Sequence, residues 1–436
     1  MSELKAYILF PGAAKNPLYA GWLEQLSLPF EIVKHYDQAW MPPTDAGIVI
    51  THNHYRWEEL SILRNIYENS SVPLLILVDG ILEYRNSFQH PDLAEGAMFQ
   101  PLIGHKLACI GQSQIRLVES WGNVGKCELV GLPRLDHLVD DSPATAKPSE
   151  QPGEFRLLVA TARTPWFNES QRQVTIEAVQ TVKSFLDATE TINGRTVHVQ
   201  YRMAEELHLN LQVDGYENRP PPIDQVLQKV DAVITTPSTL QLEAAAFGLP
   251  VAILDFHHHP QLTPMAWRIA NSADVRPVCH ELANPPGPKM LVQNCFLQDA
   301  LQGSEPAAPR MAKLIETMVQ CGQSKQPLPD RILGHPNAGF AMPEPSGSRD
   351  KLFPNNPVFQ ESSLEHLRTE LAAAKLEMKQ YPEKYFQQRS ANQRLRNFIH
   401  WLRLLVRNRA ATINDLKSEL HDLQNQIEQY SKQDHD

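Results

Sequence analysis

The chain has 436 residues, 42% of them hydrophobic, and a formal net charge of −10. That length accommodates two core-forming domains plus an appendage, and the acidic balance argues against bulk nucleic-acid binding. The start MSELKAYILFPG has no basic region ahead of a hydrophobic stretch, and the apolar runs fall far short of a membrane span, so neither a signal peptide nor a transmembrane helix is expected. Five scattered cysteines, never in a CxxC pair, fit reduced cytosolic thiols better than a disulfide frame or a zinc site.

Residues 6–10 read as an apolar strand, and a helical pattern runs from Pro17 to Leu26. Strands recur at 30–33, 47–51, 74–78, 107–111 and 128–130, with helices over 57–67 and 113–121. Strands alternating with helices predict a parallel, doubly wound sheet, a Rossmann-like domain over residues 1–139. Residues 140–154, DDSPATAKPSEQPGE, are polar and proline-bearing, a linker by composition. The pattern then restarts with a strand at 156–160, a helix at 170–185, strands at 197–201 and 209–213, and a helix at 223–229. A second Rossmann-like domain is therefore expected over 154–321.

Within it, residues 230–256, VDAVITTPSTLQLEAAAFGLPVAILDF, are the most informative stretch. A short apolar strand at 232–235 leads to Pro237-Ser238-Thr239, then a helix that stops at Gly248, then a strand at 251–254. Pro at the start and Gly at the end are helix punctuation, and strand–helix–strand is a βαβ unit. Ser238 and Thr239 sit where a helix N-terminus offers unpaired N–H groups, a site suited to phosphate. One turn on, Glu243 is placed to accept ribose hydroxyls. The competing reading is an ordinary βαβ unit with a capped helix.

Residues 322–360 are rich in Pro, Gly, Asn and Ser and read as a flexible tether. The tail, 361–432, keeps one heptad phase through ten repeats, with Leu364, Leu371, Ile399, Val406 and Leu420 at a and Leu367, Leu395, Leu402, Leu416 and Leu423 at d. That is a coiled-coil pattern, and Asn392 at an a site favours a parallel two-stranded form, hence a homodimer. Pro382 interrupts the helix there. Residues 389–409 hold six arginines and no acid, interleaved with Phe398, Trp401 and Leu404. Such a segment can lie on an anionic membrane surface, or its arginines can simply be solvated or paired with acids on another strand.

These segments resemble the GT-B glycosyltransferase superfamily, and within it the teichoic-acid glycerophosphotransferases and the capsule and surface-polysaccharide transferases. Three motifs carry the resemblance: LVDGILEYRN at 77–86, VGLPRLD at 130–136 and the βαβ unit at 230–256. It spans roughly residues 1–320 and implies two tandem Rossmann-like domains, a nucleotide-activated donor held by the second and an acceptor held mainly by the first. It also implies that Ser238 and Thr239 hold donor phosphates, Glu243 the ribose, and Asp79 the general-base position. The chain departs from the family where glycerol-phosphate transferases often carry Arg-x-His-Pro: here Tyr201-Arg202-Met203-Ala204 stands, keeping the arginine and losing the histidine. That favours sugar transfer over glycerol-phosphate transfer.

Glycosyl transfer needs a base for the acceptor hydroxyl and positive charge or N–H groups for the departing diphosphate. Asp79, at a strand's C-terminal end, is the first candidate base and Glu83 the second; Asp79 can equally cap the next helix. Arg85, Arg134, Arg163 and Arg202 are the candidate phosphate partners beside Ser238 and Thr239, each of them also readable as a surface or interdomain ion pair; Arg163 stands out because it follows the first strand of the second domain. His52 and His54 follow a strand toward the cleft, and His257–His259 follow another; no third ligand is evident for a metal, and no metal or resident cofactor is expected. The expected partners are a nucleotide-sugar donor, a glycan or lipid-linked acceptor, a second copy of the chain and a membrane surface, with the protein cytoplasmic, at most peripheral at the inner face. A nucleotide-sugar 2-epimerase-like enzyme, a glycerol-phosphate transferase and an inactive scaffold dimerised by its tail are the competing readings.

Overall fold

The structure, a computed structural model, describes residues 3–93, 98–137, 153–213, 220–303 and 305–334. The predicted coiled coil, the basic segment at 389–409 and all but the last two residues of the linker at 140–154 lie outside the described residues. In chain order the first half runs β1 (Lys5–Ile8), α1 (Pro17–Leu23), β2 (Phe30–Ile32), β3 (Ala46–Thr51), α2 (Trp57–Asn69), β4 (Leu74–Leu77), α3 (Tyr84–Phe88), β5 (Lys106–Cys109), α4 (Gln112–Ser120) and β6 (Cys127–Leu129). Its six strands form one sheet in the order β2-β1-β3-β4-β5-β6, every pair parallel. β3, β4 and β5 are buried along their whole length, as strands covered by helices on both faces must be.

The second half runs β7 (Glu154–Ala160), α5 (Glu169–Asp187), β8 (Thr191–Ile192), β9 (Arg195–Arg202), α6 (Glu205–Asn210), α7 (Ile223–Leu227), β10 (Ala232–Thr235), α8 (Leu240–Ala246), β11 (Val251–Leu254), β12 (Trp267–Ile269), α9 (Ser272–Ala283), α10 (Gly287–Ala300) and α11 (Ala307–Ser324). Its sheet has the order β12-β11-β10-β7-β9-β8, parallel except for the β8–β9 hairpin. That hairpin turns on Asn193-Gly194, both at positive φ (53° and 78°), as a two-residue turn matching the strand twist requires. Two parallel α/β domains in tandem are the architecture expected.

Three differences from the linear reading matter. The strand expected at 209–213 does not form: helix α6 runs into it through Asn210 and a turn follows at 211–212, the helix carrying Glu205 and Glu206 in its first turn and burying Leu207. Two acids at a helix N-terminus outweigh a short apolar alternation.

The last helix, α11, follows the second domain in sequence yet packs on the first sheet. Met311, Leu314, Ile315 and Met318 share a buried cluster with Ala6, Ile8, Trp22 and Ile48. Its N-terminus is capped from the 130–136 turn, where the Asp136 carboxylate accepts the N–H of Ala307 and of Ala308, each at 2.7 Å. Gly131 in that turn sits at φ 103° with Ala307 against its Cα, a close approach no other residue type makes cheaply.

The expected tether also begins later than its composition suggests. Lys106 and Glu128, both fully buried and 2.8 Å apart, bind the backbone of the segment after α11. Lys106 Nζ donates to the carbonyls of Pro329 and Asp330, and Glu128 accepts the N–H groups of Ile332 and Leu333. Leu328, Ile332 and Leu333 add apolar contact to the first core.

Candidate functional site

Parallel sheets place loop-borne chemistry at the C-terminal ends of their strands, and here those ends meet. After β4 the chain passes through Val78, Asp79 and Gly80. Gly80 lies so close to the second half that a Cβ on it would come within 2.0 Å of Thr239 Oγ1. Thr239 Oγ1 accepts the Ile81 N–H at 3.2 Å, and Gln114 Nε2 donates to the Gly80 carbonyl at 2.7 Å. The Asp-Gly turn is thus pinned from both sides. Beside it Arg134 donates through Nε to Glu243 Oε1 at 2.9 Å and through Nη1 to the Asp79 carbonyl at 3.2 Å. Arg85, buried, pairs with Glu83 and reaches the Pro165 carbonyl of the second half. Gln89 meets Gln171 at 2.9 Å, and Tyr84 stacks on His259 at 4.9 Å.

On the first-domain side, a cavity of about 230 Å³ is lined by His52 and Asn53 after β3, Asp79 after β4, and Asn86, Ser87 and His90 on or after α3. Asp79 is exposed. Glu83 touches the same cavity, but its two oxygens are committed: Oε1 accepts from Arg85 Nε at 2.7 Å and Oε2 from the Asn86 N–H at 3.3 Å. It caps α3 and anchors Arg85, so Asp79 is the carboxylate with free oxygens here. The capping role considered for Asp79 falls instead to Glu83.

His52 and His54 part ways. His52 Nδ1 hydrogen-bonds the phenol of fully buried Tyr19 at 2.7 Å, which fixes the ring at the cavity wall. Burial lowers the pKa of His52, with the Asp79 charge opposing it, so the imidazole stays neutral near pH 7. His54 turns into the core, where Nε2 accepts the Ile103 N–H at 2.8 Å.

Burial pushes the His54 pKa down to about 4. In the unfolded chain it titrates near ~6.5, so between those values the unfolded state binds the extra proton. Stability contributed by neutral His54 is complete above that upper value and is lost as pH falls toward the lower one, by up to about 3 kcal/mol. Urea midpoints at pH 7.5 and 4.5 should differ accordingly. His54→Gln should reduce the slope in this window, whereas a slope unchanged in the variant contradicts the assignment.

On the second-domain side three strand ends lie in register, since Ala160 pairs with both Thr235 and Arg202. Arg163, in the loop after β7, is exposed and forms no ion pair among the described residues. Arg202 is half-buried, with Nη1 donating to the Pro221 carbonyl at 2.7 Å. Ser238 Oγ lies 3.3 Å from Thr235 Oγ1. Helix α8 starts at Leu240, later than the proline suggests, with Thr239 as a cap whose hydroxyl faces the seam. Of the expected Ser-Thr pair, Ser238 therefore contacts the end of β10 while Thr239 is used in the contact between the halves.

Glu243 is almost fully buried, and Arg134 Nε and Nη2 both bond Oε1 at 2.9 Å. Oε2 has no partner among the described residues, so it is the oxygen on which the expected ribose contact depends. Glu243→Ala is expected to weaken nucleoside diphosphate binding by about 1.5–3 kcal/mol, tenfold or more. Arg134→Met keeps the carboxylate and should keep the affinity. Calorimetry showing wild-type affinity for Glu243→Ala would remove the ribose role.

The sequence did not announce Asn53, Asn86, Ser87 or Tyr19, because nothing in a linear pattern tells which side chains of a loop and a five-residue helix converge. Among the described residues no histidine, cysteine and carboxylate group forms a metal-ligating cluster. His257 instead bonds Thr175 Oγ1 at 3.2 Å, and burial chiefly pushes its pKa down to about 4.

No family model and no curated protein matches this chain. Solved structures with a similar fold include S. aureus MnaA in a co-structure with UDP, at 13% identity and a TM-score of 0.49, covering 73% of this chain and 96% of that one. Methanocaldococcus jannaschii UDP-GlcNAc 2-epimerase in complex with UDP-GlcNAc and UDP is similar at 11% identity and a TM-score of 0.48, covering 72% and 100%. The wall teichoic acid polymerase TagF is similar at 12% identity and a TM-score of 0.43, covering 73% and 89%. At such identities no residue role is carried over from them.

Proposed function

We propose that the chain is a nucleotide-sugar-dependent glycosyltransferase of surface-glycan assembly, with the acceptor in the first domain and the donor in the second. One observation carries the reading: the C-terminal strand ends of two parallel sheets meet, with Asp79 in a cavity on one side and Arg163, Arg202, Ser238 and Glu243 on the other. In the reaction the acceptor oxygen attacks the anomeric carbon, the bond from that carbon to the diphosphate breaks, and Asp79 takes the hydroxyl proton. Arg163 and Arg202 offset the charge that collects on the leaving diphosphate. An epimerase needs several free acids in the cleft, and Glu83 is already committed to Arg85; that favours transfer.

Turnover of a donor panel of nucleotide sugars, with and without glycan extracts, tests the reading. A transferase releases nucleoside diphosphate in an acceptor-dependent way. Acceptor-independent epimer formation, or no turnover with any donor, rejects it.

The heptads at 361–432 supply the proposed homodimer contact. Light scattering should give a dimer for the full chain and a monomer without those residues. Flotation of the full chain with anionic vesicles, absent for a chain lacking 389–409, is the expected sign of inner-membrane association. No helix among the described residues is long and apolar enough to cross a membrane.

A further inference from the structure

The cavity of the first domain carries a chemical signature of its own. We propose that it receives one uncharged, hydroxyl-rich sugar ring as the acceptor end, and not a phosphorylated group; this rests on the transferase reading and specifies its acceptor. Ser87 is fully buried, its Oγ has no hydrogen-bond partner, and it lines the cavity. Sealed from solvent, that hydroxyl belongs to the wall, and the hydrogen bonds open to a ligand come from the neighbouring amides.

Asn53 and Asn86 add amides, which donate and accept, and so suit groups that also do both. No lysine or arginine lines the cavity among the described residues. The two guanidiniums beside it are already held, Arg85 by Glu83 and the Pro165 carbonyl, Arg134 by Glu243 and the Asp79 carbonyl. A phosphate placed here faces the Asp79 carboxylate with no cation in the lining to offset either charge, which like-charge repulsion in a partly buried site penalises. Leu77, Leu82 and Phe99 give the cavity an apolar wall matched to the C–H face of a pyranose. At about 230 Å³ it is smaller than the ~300–1,000 Å³ of sites for drug-sized ligands, so it fits a single ring.

Ligand-observed saturation-transfer NMR on the full chain, without nucleotide, tests this. The probes are methyl α-D-glucopyranoside and methyl N-acetyl-β-D-glucosaminide against glucose 6-phosphate and glycerol 3-phosphate at equal millimolar concentration. At least one neutral glycoside should receive saturation and the phosphorylated probes should not. Asn86→Ala, and Asn53→Ala as a second variant, should weaken the neutral probe about fivefold or more, consistent with one lost hydrogen bond. Equal or stronger binding of a phosphorylated probe overturns the proposal. So does silence from both neutral glycosides, or neutral binding that neither variant affects. Because no donor is present, glycoside binding without donor turnover would reject transfer while leaving the site in place.

Discussion

Asp79→Asn is expected to lower transfer by about 10²–10⁴-fold, the usual cost of losing a general base, while nucleoside diphosphate affinity stays within experimental error. The split follows from position. Asp79 lines the cavity of the first domain, whereas the proposed donor groups Arg163, Arg202 and Ser238 issue from the facing edge of the second sheet. The amide is isosteric and the site is exposed, so folding is not at stake. The Asp79 carbonyl, which receives Arg134, is backbone and survives the change. Retention of more than about half the wild-type rate would move the base role to His52, the neutral imidazole in the same cavity.

Glu128→Ala is expected to cost about 3–5 kcal/mol, since it leaves a buried ammonium without its counter-charge. Lys106 Nζ would keep only carbonyls, those of Gly125, Pro329 and Asp330, while the N–H groups of Ile332 and Leu333 would lose their acceptor. The loss should appear in two readouts, a lower urea midpoint and faster proteolysis after α11. The double variant Lys106→Met with Glu128→Leu should recover much of the midpoint, because it removes both charges together, yet the segment should stay sensitive to protease. A single variant within ~1 kcal/mol of wild type would show that surface water, not this pair, satisfies the segment.

Periodicity made both sheets legible because buried parallel strands are continuous apolar runs, and 74–77, 107–109 and 232–235 could hardly be anything else. It failed where the chain returns on itself. Nothing local says that Ala307–Ser324 belongs to the first core, or that residues after it are held by Lys106 and Glu128, some 200 positions away. The candidate site was half legible. Strand ends pointed to Asp79, Arg163, Arg202 and Ser238, whereas the engagement of Glu83, Thr239 and Glu243 depends on partners from distant segments. The glycine of the Asp-Gly turn and the arginine and aspartate of the 130–136 turn gained their reasons only in three dimensions: contact with Thr239, the pair with Glu243 and the cap on α11.

The most direct test of the central claim is calorimetric titration of the full chain with UDP, GDP, CDP and ADP. Saturable one-to-one binding of at least one is expected, weakened in Arg163→Ala and Glu243→Ala and unchanged in Asp79→Asn. No heat from any of the four, or binding that both donor-side variants leave untouched, would contradict a nucleotide-diphosphate site between the two sheets.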